Sequence, residues 1–112
     1  MELTPKQALN LWHAVTLAGI AREQPDLTTR QMAVLLEIYL AEPPHTVRGL
    51  AQTRGASKPA ITRAIDRLSD LDLVKRRRDD TDKRSVLVQR TVSGSVFLRE
   101  FGDMAARAAD DI

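Results

Sequence analysis

Apolar residues recur at helical spacing in five stretches of the chain and at alternate positions in a sixth. Over residues 4–22, Leu9, Trp12, Val15 and Gly19 share one face, with Leu11, Ala14 and Ala18 beside them. The spacing predicts a first helix with a wide apolar surface. Thr4 is placed to cap it, Pro5 suits the first helical position, and Gln7 completes a capping box. Pro25 and Asp26 interrupt the pattern. Thr28 and Gln31 repeat the capping-box spacing before a second helix carrying Met32, Leu35, Leu36, Tyr39 and Leu40. Glu42-Pro43-Pro44-His45 stops it, because a residue before proline is pushed out of helical geometry.

Thr46 can cap a short third helix bearing Val47, Leu50 and Ala51. Gly55 supplies the turn residue that tolerates positive φ. Ser57 then caps a fourth helix, with Pro59 in its first turn, where no intrahelical donor is lost. Ile61, Ala64, Ile65 and Leu68 form its inner face, which leaves Lys58, Thr62, Arg63 and Arg67 largely outside. Asp70–Asp72 is the exit turn. Leu73–Arg78 and Ser85–Arg90 read as strands, and Val86 and Val88 alternate with more polar neighbours as a half-buried strand requires. The Asp79–Arg84 loop is longer than a two-residue hairpin connection and can project as a wing. Thr91–Gly94 punctuates the chain before a last amphipathic helix over residues 95–109, with Val96, Phe97, Phe101, Met104 and Ala108.

The expected fold is therefore mainly α with a small β-hairpin wing: a winged helix-turn-helix flanked by N- and C-terminal helices that serve dimerisation. A chain of 112 residues is one domain in size. Residues 27–94 form the expected DNA-binding core, and residues 1–24 and 95–112 the helical dimerisation segments.

Composition narrows the function. Apolar content of 43% and charged content of 29% fit a folded rather than a disordered chain. No apolar run approaches the roughly 18–20 residues needed to cross a bilayer, and the N-terminal residues lack a signal-peptide layout. With no cysteine, disulfides, thiolate zinc sites and thiol redox sensing are excluded. The expectation is a soluble cytoplasmic protein. The net charge of +2 decides nothing, but its distribution does: residues 54–90 carry +5, and the remainder −3. Such a dipole suits a polyanionic partner, although charge skew alone is equally a solvated face.

An ordered series of motifs resembles the MarR family of winged helix-turn-helix transcriptional regulators. The residues that carry it are Leu27-Thr28-x-x-Gln31-x-x-Val34-Leu35, Leu50-Ala51, and Ser57-x-x-x-Ile61-Thr62-Arg63-x-Ile65-Asp66-x-Leu68. Leu73-Val74-x-Arg76 and Asp82-Lys83-Arg84-Ser85-Val86-Leu87-Val88 follow. Asp72 stands where the family usually has a glycine after its recognition helix, and Arg90-Thr91-Val92-Ser93-Gly94 replaces the family's Leu-Thr-x-x-Gly. Only one helix is expected after the wing.

The major groove of B-DNA admits one α-helix and displays base edges there. The fourth helix would present Lys58, Pro59, Ala60, Thr62, Arg63 and Arg67 to a duplex. Arg63 can donate two hydrogen bonds to a guanine edge or clamp a phosphate. Thr62 can reach a phosphate or a thymine methyl, and Pro59 and Ala60 are small enough for close approach. The family resemblance implies that Arg84 enters the minor groove with Asp82 holding its guanidinium, while Lys83 and Arg78 add phosphate contacts that set affinity and register. One strand arginine is expected to pair with Asp66 or Asp82.

The other candidate chemistry is thin. Trp12, Tyr39, Phe97 and Phe101 can line an effector pocket, but aromatics at helical spacing are more often core or dimer seam. His13 and His45 are isolated, no metal or cofactor is expected, and Asp79-Asp80-x-Asp82 lacks the glycine and distal glutamate of a calcium loop. Nothing suggests an enzyme. The expected function is a sequence-specific regulator that binds double-stranded DNA as a homodimer, in the manner of a repressor. Leu9, Trp12, Val15, Phe97 and Phe101 are the interface candidates, and a small-molecule effector is left open. The competing reading is a winged-helix module that binds another regulator and touches DNA weakly or not at all.

Overall fold

The computed structural model describes residues 2–22 and 25–112 and, for Arg54, the backbone alone. The segment boundary expected after residue 24 lies outside the described residues, as does the side chain of Arg54 in the cationic window. The elements run α1 (Pro5–Ala21), α2 (Thr29–Leu40), α3 (Val47–Arg54), α4 (Lys58–Asp70), β1 (Val74–Arg78), β2 (Val86–Arg90) and α5 (Val92–Asp110). They fall into two units, one of residues 26–95 and one of residues 1–25 with 96–112. The fold is a mainly α winged helix-turn-helix.

Local chemistry sets the helix starts. Thr4 and Thr28 each form the expected capping box, in which the hydroxyl accepts from the third helical amide and that glutamine's side chain accepts from the cap amide. The Thr46 hydroxyl accepts from Gly49 and the Ser57 hydroxyl from Ala60, so α3 and α4 each satisfy an amide that would otherwise be orphaned. Between them Gly55 takes φ +62°, a left-handed conformation that closes the turn without Cβ strain.

The core of the larger unit is built on α4. Ile61, Ile65 and Leu68 are fully buried together with Val34, Leu35 and Ile38 of α2, and Val74 and Val88 of the hairpin. Each such side chain contributes roughly 1.5–3 kcal/mol when taken from water. The strands pair antiparallel, from Val74 opposite Arg90 to Arg78 opposite Val86. Residues 74, 76 and 78 therefore share a face with 90, 88 and 86, and its inner end is the buried Val74 and Val88. A bridge between Thr46 and Leu87, and a 2.9 Å hydrogen bond from the Val88 amide to the His45 carbonyl, fasten β2 to the segment before α3.

The exit from α4 is made by Asp72 at φ +59°, the left-handed position that glycine would hold without strain. The hydroxyl of Thr91 donates to the Asp72 carbonyl, and that of Ser93 to its carboxylate.

The last helix starts earlier than its sequence suggests. Thr91–Gly94, read as punctuation, contains the first turn of α5, because the Thr91 hydroxyl accepts from the Gly94 amide and caps it. Gly94 is there for space. A Cβ at this position would lie 2.0 Å from the Tyr39 hydroxyl oxygen and 2.2 Å from the Leu73 carbonyl oxygen.

In the smaller unit, Val15 of α1 and Met104 of α5 are buried, and Arg22 pairs with Glu100. Val15 is thus a core residue and is removed from the expected dimer seam. Leu9 and Trp12, each 71% exposed, and Ile20, 69% exposed, lie outside the buried stripe of α1.

Candidate nucleic-acid interface

Helix α4 buries one stripe and offers the other. Lys58, Pro59, Arg63 and Arg67 are exposed and Thr62 is half-buried. Ala60 corrects the sequence reading. It is only 7% exposed and packs with Ile61 and Ala64, because its angular position on the helix points inward. Little of its surface is left for a duplex to touch, and its small size suits packing.

Between the first turns of α3 and α4 and the base of the wing lies an open cavity of about 420 Å³. Lys58 and Thr62 line it from α4, Arg48 from α3, and Arg76, Asp82 and Arg84 from the hairpin. Four cations thus converge on a depression with one carboxylate. The cavity walls bring Lys58, Thr62, Asp82 and Arg84 together as the sequence suggested. Pro59, Arg63 and Arg67 occupy the exposed face of α4 outside the cavity lining, and Arg78 and Lys83 are exposed on the hairpin.

Arg48 was not foreseen. It belongs to no motif, and the signal that could have found it is its position beside Val47 and Leu50, outside the apolar stripe of a helix that precedes the recognition helix.

Aspartate side chains organise the wing tip through the main chain. The Asp82 carboxylate accepts from the Arg84 amide at 3.0 Å, and the Asp82 carbonyl accepts from the Ser85 amide at 2.9 Å. Among the described residues Asp82 therefore orients Arg84 through its backbone. The expected carboxylate–guanidinium contact is not the one formed, because a side chain two residues away reaches the amide in a local turn. The Asp79 carboxylate accepts from the hydroxyl and the amide of Thr81, and these bonds hold its carboxyl below the usual carboxylate range. The stabilisation these bonds give is complete above the ordinary carboxylate range and is lost as pH falls through the lowered value. Arg77 and Asp80 approach to 3.9 Å, both highly exposed, and such a pair adds little.

Arg76 is the strand arginine that pairs with Asp66. Its guanidinium bonds the Asp66 carboxylate and donates to the Thr62 carbonyl at 3.4 Å, joining β1 to α4.

Tyr39 is a structural residue. Its hydroxyl donates to the Leu73 carbonyl at 2.8 Å and accepts from the Thr91 amide at 3.0 Å, while Arg90 lies 5.7 Å from its ring centroid and bonds the Ile38 and Ala41 carbonyls. Among the described residues no group of three or more histidines, cysteines or acids is placed to hold a metal, and no helix is long and apolar enough to cross a membrane.

No curated protein matches the chain by sequence. Solved structures do. A mutant MarR from E. coli complexed with operator DNA is 26% identical, with a TM-score of 0.70, over 94% of this chain and 69% of that one. CouR, a transcriptional repressor bound to a 23-mer DNA duplex, is 25% identical, with a TM-score of 0.71, over 95% of this chain and 69% of that one. An S. aureus MepR mutant shares the fold at 21% identity and a TM-score of 0.74, over 98% of this chain and 82% of that one. The MarR family model matches residues 26–85, more than half of the sequence, and its match ends at the wing base that carries Arg84 and Ser85. The chain belongs to the MarR family.

Proposed function

We propose that this protein is a sequence-specific, double-stranded DNA-binding transcriptional regulator that acts in the cytoplasm as a homodimeric repressor on a pseudo-palindromic operator. The observation that carries the reading is the convergence of Arg48, Lys58 and Arg84 on one depression beside the exposed face of α4. Phosphates attract such a cluster, and contacts of this kind fix the register of a recognition helix in the major groove. Arg63, exposed on the same helix, is the residue of choice for reading a base edge. The role is binding, without catalysis.

Dimerisation is supported by the outer side of α1, where Leu9, Trp12 and Ile20 remain largely in water. A second copy that covers them would set two recognition helices on one duplex, and half-sites about 34 Å apart would follow. Repression follows from occupying a promoter. Likeness to a structure described as a transcriptional repressor on DNA supports that choice.

Selection of bound sequences from random duplex DNA tests the proposal. A palindrome with half-sites one helical turn apart is expected. Retention of DNA without enrichment would remove sequence specificity, and no retention would favour a protein-binding winged helix.

A further inference from the structure

We propose that Arg76 serves DNA binding through Asp66, as a positioning residue that cancels a carboxylate on the recognition helix, and is not itself a phosphate contact. The inference rests on the DNA-binding reading above. Asp66 lies one turn after Thr62 on α4, opposite the buried row of Ala60, Ile61, Ala64, Ile65 and Leu68. Its side chain is 58% exposed, on the surface that a duplex would meet. A bare carboxylate facing phosphates is a like-charge juxtaposition, among the costlier faults in an interface.

Arg76 answers that fault. It reaches across from β1, bonds the Asp66 carboxylate, and donates a second hydrogen bond to the Thr62 carbonyl at 3.4 Å. Its own side chain is only 35% exposed. These contacts occupy the guanidinium on the protein side, whereas Arg48, Lys58 and Arg84 line the same cavity without an ion pair among the described residues. As a mechanical tie the pair matters little, since partly exposed ion pairs contribute modestly. The hairpin is already fastened by its own ladder and by the Val88 amide on the His45 carbonyl. Charge cancellation is the larger effect.

The test uses the intact chain and a labelled duplex carrying the sequence enriched from the random pool. Binding is measured for wild type, Arg76→Gln, Asp66→Asn and the double variant, with circular dichroism on each. Arg76→Gln should weaken binding on the order of tenfold, as one uncompensated charge at an interface would. Asp66→Asn should bind at least as well as wild type. The double variant should return to within about threefold of wild type, the margin set by non-additivity between neighbours. A double variant as weak as Arg76→Gln overturns the inference and makes Arg76 a direct DNA contact. Asp66→Asn as weak as Arg76→Gln also overturns it, as does an Arg76→Gln chain that fails to fold. Wild type that binds no duplex overturns the DNA-binding reading itself before any variant is compared.

Discussion

The Tyr39 hydroxyl occupies the space that a side chain on Gly94 would need. A Cβ on Gly94 would lie 2.0 Å from Tyr39 Oη and 2.2 Å from the Leu73 carbonyl oxygen. The hydroxyl is itself held by the Leu73 carbonyl and the Thr91 amide. The start of α5 is thereby locked to the turn that leaves the recognition helix.

Gly94→Ala should therefore destabilise the protein by about 2–4 kcal/mol, from overpacking and the loss of a part-buried hydrogen bond. Chemical denaturation measures it. Adding Tyr39→Phe should not restore stability, because the Leu73 carbonyl still blocks the methyl group. Full rescue by Tyr39→Phe would place the whole conflict at the hydroxyl and contradict this packing.

Arg63→Ala should cost about 1–3 kcal/mol on the selected sequence and much less on random duplex, if its guanidinium reads a base. Parallel titrations of the two duplexes decide. An equal loss on both would make Arg63 a phosphate anchor.

Arg48→Ala and Arg84→Ala should each leave the fold intact, since both side chains are exposed. Each should reduce the slope of log affinity against log salt by about 0.9, the signature of one lost phosphate contact. An unchanged slope with Arg48→Ala would remove it from the interface. An Arg84→Ala chain that fails to fold would make Arg84 structural.

Trp12→Glu should shift the protein toward monomer, raising the dimer dissociation constant by roughly 30-fold or more, as expected for a central aromatic anchor. Sedimentation velocity over a concentration series provides the measurement. Folding should survive, because Trp12 is 71% exposed. A variant that associates as tightly as wild type would move the dimer seam elsewhere.

The elements were legible in the sequence wherever the determining chemistry is local. The Thr4–Gln7 and Thr28–Gln31 boxes, the Ser57 cap and the Gly55 turn each act within a few residues, and each stands where the spacing predicts. Gly94 was misread because its glycine answers to Tyr39 and Leu73, distant in sequence, and not to a helix end. Ala60 was misassigned because small size suits both a groove and a core, and only the packed angular position separates the two. The tie of Asp82 to the Arg84 amide replaced the implied guanidinium contact for a similar reason: residue type names a partner, and backbone geometry chooses the atom. Arg48 needed the tertiary fold, which brings the first turn of α3 beside the wing.

The measurement that bears most directly on the account is the equilibrium affinity of the intact protein for its selected duplex as salt is raised. A cluster that neutralises several phosphates predicts a steep linear fall in log affinity with log salt, roughly 0.9 per contact, together with a preference over random DNA that survives the added salt. A flat dependence, or equal affinity for every sequence, would contradict a recognition helix and a wing gripping the same double helix.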